Sequence, residues 1–169
     1  MYAEFIKKWV SVGCIGLLLA LLSGPSQARE DTVLTLYGSG AGGAAGTVQQ
    51  TWTLARLQAL PQHSIRTRTP WDKGVVEFSG PLLRDVLAPL KGHGGTLLAE
   101  AINDYRVRIP LQDAWRHDVI LAIRLQGEPI PLRSRGPLMI VYPFDSAEVL
   151  RSDTYYERAI WQLKSLRLD

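Results

Sequence analysis

The chain reads as one α+β domain, and three observations lead there. Short alternating or wholly apolar segments recur between Gly, Pro and Asp residues, the mark of brief strands. Two or three helical stretches lie among them without a regular βαβ repeat. No segment is repeated within the 169 residues, so a solenoid or repeat array is not expected.

The chain begins with a leader-like segment. Lys7 and Lys8 precede a mostly apolar run from Val10 to Leu22, which Gly24-Pro25 interrupts before Ser26-Gln27-Ala28. The charged start, the short apolar run and the small residues match a secretory signal peptide cleaved near Ala28-Arg29. The run falls short of the roughly 20 apolar residues of a spanning helix. Residues 1–28 are thus expected to be a signal peptide, and residues 29–169 a periplasmic domain of a size that supports one core.

Within that domain, Val33 to Tyr37 alternates as a strand, and Val48 to Trp52 suits another. Thr53 is a candidate N-cap for the helix Leu54 to Leu60, which Pro61 stops. Ile65 to Thr69 alternates weakly, Trp71 to Gly74 forms a turn, and Val75 to Phe78 is a strand. Gly80-Pro81 opens a helix with Pro at its first position; Leu83, Val86 and Leu87 share a face. Tyr105, Val107 and Ile109 alternate with Arg106 and Arg108 in a half-buried strand. Val119 to Leu125 is largely apolar, Gly127 to Pro129 turns, and Leu138 to Tyr142 is a buried strand closed by Pro143. Asp153 to Leu163 is expected to be helical, with a last strand near Leu166 to Leu168.

One motif misleads. Gly38, Gly40 and Gly43 satisfy G-x-G-x-x-G after a strand. A dinucleotide site requires a helix opening directly after the glycines and an acidic residue about 20 positions on. Here the helix waits until about residue 54, and the next acidic residue after Asp31 is Asp72. The run is expected to be a flexible hairpin connection.

Composition removes further classes. The net charge is +3, from 19 Lys and Arg against 16 Asp and Glu, with no basic block; nucleic acid is not implied. The single cysteine, Cys14, lies in the leader, which leaves the domain without disulfides, thiolate metal ligands or a thiol nucleophile. His63, His93 and His117 are far apart and lack metal-ligand spacing. No G-x-S-x-G elbow occurs. Asp113 and Asp118 have no spacing that suggests acid–base work.

Three stretches carry a resemblance. They are Phe78-Ser79-Gly80-Pro81-Leu82-Leu83-Arg84-Asp85-Val86-Leu87; Asn103-Asp104-Tyr105-Arg106-Val107-Arg108-Ile109-Pro110; and Gly127 to Pro131 followed by Arg135 to Pro143, with Trp161-Gln162-Leu163 near the end. In this order they resemble the oxidoreductase molybdopterin-binding domain, the sulfite-oxidase-like fold, over about residues 33 to 169. The resemblance implies mixed sheets with a pterin-sized cleft between the Ile65–Trp71 segment and the loops after the central strands. It also implies a cysteine thiolate on molybdenum just before the aromatic turn, where this chain has Thr67 or Thr69. A threonine hydroxyl is a hard donor of high pKa and does not replace that thiolate. The resemblance further implies a cofactor inserted before export of a folded enzyme, usually through a twin-arginine leader, whereas this leader has Lys7-Lys8.

The chain is most similar in kind to small stand-alone periplasmic members that look like pterin-binding proteins, some paired with membrane-bound diguanylate cyclases or phosphodiesterases. That resemblance implies a non-enzymatic protein holding a pterin, including a reduced tetrahydropterin, and relaying its availability to cyclic-di-GMP signalling without molybdenum. The alternatives are a molybdopterin-dependent oxidoreductase lacking the cysteine ligand and an adaptor domain with a vestigial cleft. A pterin offers a flat face for aromatic stacking and an N–H edge that a carboxylate can receive.

The expected ligand-binding set is Thr67, Thr69, Trp71, Asn103, Asp104, Tyr105, Arg135, Tyr142 and Asp145, and each has a structural alternative. Trp71 either stacks on the ligand or anchors the core. Asp104, beside Asn103, either pairs with the pterin edge or forms a turn. Asp145 either faces the ligand or caps the next turn. Tyr105 and Tyr142, where the resemblance places a functional tyrosine and a cleft wall, are alternatively core residues with tethered hydroxyls. Arg66, Arg68 and Arg135 could meet an anionic substituent or lie solvated at the surface. Trp115 and Trp161 are assigned to packing.

Overall fold

The computed structural model describes residues 31–38, 46–90 and 95–169; the leader and the middle of the glycine run lie outside them. Among the described residues the architecture is α+β, with three sheets and four short α-helices.

The largest sheet has the order β2-β1-β11-β5-β6, formed by β1 (Thr32–Tyr37), β2 (Val48–Thr53), β5 (Thr96–Ala101), β6 (Arg106–Pro110) and β11 (Leu163–Leu168). β1 runs parallel to β11 and antiparallel to β2, so the glycine run joins the two arms of a hairpin and leads into a strand, not a helix. This is incompatible with the dinucleotide fold. Period-two alternation explains the strands: Leu34 and Leu36 of β1 and Leu97, Ala99 and Ala101 of β5 all face inward. α1 (Leu54–Gln58) follows β2 directly, and the Thr53 hydroxyl accepts from the Arg56 amide at 3.3 Å, the N-cap expected.

The second sheet has the order β3-β4-β8-β9, from β3 (Gln62–Arg68), β4 (Val75–Pro81), β8 (Arg124–Leu125) and β9 (Glu128–Pro129). Gln126 and Gly127 both have positive φ, 53° and 81°, the pair of angles that a tight two-residue hairpin demands. The turn therefore precedes Glu128 and Pro129, which belong to a strand.

β7 (Ile120–Ala122) and β10 (Met139–Val141) form a two-stranded sheet that explains why these segments read as unbroken apolar runs. Leu121 and Ile140 point into one core with Leu34, Leu97 and Phe144. Ile120, Ala122, Met139 and Val141 point into the other, with Ile65, Phe78 and Ile130. The pair divides the two cores, so both of its faces must be apolar. β4 crosses β7 so closely at Gly80 that a Cβ there would strike the Leu121 carbonyl oxygen.

Three elements differ from expectation. Pro81 ends β4 and does not open a helix, because Leu82 is held extended in a bridge to Ile120 and α2 (Leu83–Val86) starts after it. The segment Thr96–Ala101 is the well-paired strand β5, although its two inward alanines weaken the alternation. After α3 (Asp113–Arg116), α4 covers only Asp153–Arg158. Beyond it the backbone pairs with the stretch before and within β10: the Ile140 amide donates to Ile160, Gln162 to Arg135, and Leu163 to Leu138. Those bonds draw the chain out of the helix, and Gln162 turns it at φ 50°. Among the described residues, no helix is long and apolar enough to cross a membrane.

Candidate functional site

A cleft of about 490 Å³ opens between the end of β3, the β5–β6 turn and α4. Four aromatic rings line it, Trp71, Tyr105, Tyr156 and Trp161. Among the described residues, Asp153 and Glu157 are its only charged lining residues, and Asn103 stands on the β5–β6 side.

Trp71 sits where the two cores meet and packs against both. Its ring meets Trp161 at 5.3 Å, Tyr156 at 6.0 Å and Phe144 at 6.0 Å, all edge-to-face. Edge-to-face contacts fix ring orientation as well as position. Its indole N–H is enclosed without an acceptor among the described residues. The turn holding Trp71 is braced from behind. Arg135 donates to both carboxylate oxygens of Asp72, at 2.7 and 2.9 Å, while the Thr69 hydroxyl donates to Asp72 at 2.8 Å. The Arg135 guanidinium also lies over the Trp161 ring at 5.6 Å. Partial burial pushes the Asp72 carboxyl upward in pKa, but the Arg135 and Thr69 hydrogen bonds and the Arg135 charge outweigh it and hold it below the usual value.

The opposite wall is the β5–β6 turn. Asp104 occupies the left-handed region at φ 65°, tolerated by Asp more readily than by most residues. Its amide donates to the Ala101 carbonyl, and Asn103 Oδ1 accepts from the Tyr105 amide at 3.2 Å. The Asp104 carboxylate receives Lys164 Nζ at 2.7 Å, which lowers its pKa.

α4 supplies the third wall. Asp153, Tyr156 and Glu157 are three and four residues apart and therefore share a face. No residue of the helix is fully buried, so side-chain bonds anchor it. Arg158 Nη1 donates to the buried Asp113 Oδ2 at 2.9 Å, and the same oxygen accepts the Tyr142 hydroxyl at 2.9 Å. Burial, then the Asp113 charge and hydrogen bond, push the Tyr142 phenol far above its ordinary pKa. It remains a neutral donor at physiological pH.

Of the nine residues expected to bind a ligand, Trp71, Asn103 and Tyr105 share the cleft. The others do not line it. Thr69 and Arg135 brace the Trp71 turn through Asp72. Thr67 is fully buried, accepts from the Asp145 amide at 3.0 Å, and donates to the Arg68 carbonyl at 3.3 Å. Asp145 in turn accepts from the Arg68 amide at 2.9 Å; these bonds tie β3 to the turn after β10. Asp104 faces Lys164, and Tyr142 is a core residue on Asp113. Arg66 is exposed and Arg68 pairs with Asp145 at 3.6 Å. Trp161 packs against Trp71 and Arg135 as well as lining the cleft, while Trp115 is half exposed.

Asp153, Tyr156 and Glu157 were not anticipated. A carboxylate pair four apart on a helix ordinarily marks a solvated face, and only the turn of the chain after Arg158 brings this face onto the cleft. Among the described residues, no group of three or more His, Cys, Asp or Glu is arranged to hold a metal ion.

Residues 43–147 match the model of the family described as oxidoreductase molybdopterin binding domain. No curated protein matches the chain. Among solved structures the fold is similar to that of the sulfane dehydrogenase SoxCD from Paracoccus pantotrophus, with a TM-score of 0.57 and 16% identity. The likeness covers 82% of this chain and 38% of that one, so this chain spans well under half of that protein's length.

Proposed function

The chain belongs to the oxidoreductase molybdopterin-binding domain family, and from that premise we propose that it binds a pterin in the Trp71 cleft without performing molybdenum chemistry. One observation carries the reading: the cleft is walled by four aromatic rings and measures about 490 Å³. That lies within the roughly 300–1,000 Å³ of small-molecule sites. Planar bicycles gain from such walls by stacking, and their N–H groups need acceptors once water is displaced. Trp71 is the stacking surface, with Tyr105 and Asn103 across the cleft.

The donor set does not fit the molybdenum form of the cofactor. Where the resemblance puts a thiolate, the Thr67 and Thr69 hydroxyls are hard donors already engaged in internal hydrogen bonds. Among the described residues, no lysine, arginine or histidine lines the cleft to meet the phosphate of molybdopterin. The mature protein acts in the periplasm, after removal of residues 1–28. There it relays pterin availability to the periplasmic domain of an inner-membrane diguanylate cyclase or phosphodiesterase. Such a relay requires loaded and empty forms to differ in affinity for the partner, typically about 5–150-fold.

Protein recovered from a native periplasm provides the test. Released ligand is identified by mass spectrometry and pterin fluorescence, and molybdenum is measured on the same sample. A bound pterin with negligible molybdenum is expected. Stoichiometric molybdenum, or a different ligand in the cleft, contradicts the reading.

A further inference from the structure

The charge balance around the cleft is uneven in a way that selects ligands. Three cations that brace its walls already have carboxylates: Arg135 has Asp72, Arg158 has Asp113, and Lys164 has Asp104 and Glu100. Arg106 meets the same Glu100 oxygen, Oε1, at 2.9 Å. Asp153 and Glu157, by contrast, make no ion pair or side-chain hydrogen bond among the described residues, and both border the aromatic walls. The cavity thus pairs flat apolar faces with two unpaired negative charges, and among the described residues no cationic side chain lines it.

Resting on the pterin reading above, we infer that this cleft takes planar heterocycles that are neutral or cationic and bear an amidine-like N–H edge. It rejects their phosphorylated or otherwise anionic derivatives. Glu157, next to Tyr156 on the cleft face of α4, receives the N–H edge. The 2-amino group and ring N–H of a pterin are two parallel donors, and a carboxylate has two oxygens to meet them in charge-assisted bonds. Asp153, one turn earlier, adds negative charge at the mouth. An incoming phosphate meets both charges with no cationic lining residue among those described. Two unit charges about 4 Å apart in water alter an equilibrium roughly fivefold, less with added salt. A phosphate dianion before two exposed carboxylates should therefore be disfavoured about tenfold.

Equilibrium titrations with 6-hydroxymethylpterin and with its phosphate monoester, at low and high salt, test this assignment. Wild type should prefer the alcohol about tenfold at low salt, and salt should narrow the gap. In Glu157→Gln/Asp153→Asn the preference should fall below about threefold, and Glu157→Gln alone should weaken the alcohol about fivefold. Both side chains are exposed, so the variants should fold, and circular dichroism checks that they do. Phosphate ester binding as tightly as the alcohol in wild type overturns the charge selection and leaves the pterin reading standing. A preference unchanged by both substitutions overturns the roles of Glu157 and Asp153. Failure of both compounds to bind overturns the pterin reading, and this inference with it.

Discussion

Arg135→Met keeps most of the side-chain stem and deletes the guanidinium that holds Asp72 through two bonds of 2.7 and 2.9 Å. The two side chains are 15% and 14% exposed, between a surface pair and a buried one. Surface pairs contribute about 0.2–1 kcal/mol, whereas breaking a buried pair costs about 3–5 kcal/mol because the remaining charge is stranded. Asp72 keeps the Thr69 hydroxyl, so a loss of about 2 kcal/mol is expected. For a domain of this size that lowers Tm by roughly 4–8 °C. The carboxyl of Asp72 has a depressed pKa in the folded protein, so its contribution is present above the unfolded value of 3.8 and is lost as pH falls through the lower folded value. Acid unfolding of wild type should therefore steepen below about pH 4, and Arg135→Met should flatten that segment. Thermal melts at neutral and acid pH, with Asp72→Asn completing a double-mutant cycle, measure both effects. A Tm change under about 2 °C with additive single mutants would refute the argument that this pair braces the Trp71 turn.

Two other substitutions probe the frame around the site. Tyr142→Phe removes one of the two donors to the buried Asp113. It should cost about 2 kcal/mol in denaturant unfolding while leaving pterin affinity within about twofold; a large affinity loss would return Tyr142 to the cleft wall. Gly80→Ala places a methyl group against the Leu121 carbonyl and should destabilise by about 1–3 kcal/mol. An unchanged denaturation midpoint would mean that β4 and β7 can separate freely.

The sheets were legible wherever one face is wet. Leu34 and Leu36 in β1 and Ile109 in β6 alternate with exposed or half-exposed neighbours, and that period is visible in a single sequence. β7 and β10 were visible as apolar runs, but only the two cores explain why neither has a polar face. β5 escaped because Ala99 and Ala101 give a weak inward signal. The cleft was half legible. Trp71 stood out because a large aromatic in a Pro-Trp-Asp-Lys-Gly turn has little local packing purpose. Thr67 and Asp145 were placed in the same neighbourhood, yet they bond to each other and β3 across more than 70 positions and do not face the cleft. Tyr156 and Glu157 were invisible, since their role depends on where α4 ends. That end is set by backbone bonds from the Gln162 and Leu163 amides to residues 135 and 138, which no local pattern announces.

Calorimetric titration of folded wild type and Trp71→Ala with a tetrahydropterin measures whether a pterin stacks against Trp71. Lost stacking and burial should cost about 1–3 kcal/mol. Wild type should bind one equivalent saturably, and the variant should bind about 5–150-fold more weakly. Undiminished affinity in a folded Trp71→Ala protein, or no saturable binding by wild type, would contradict the account.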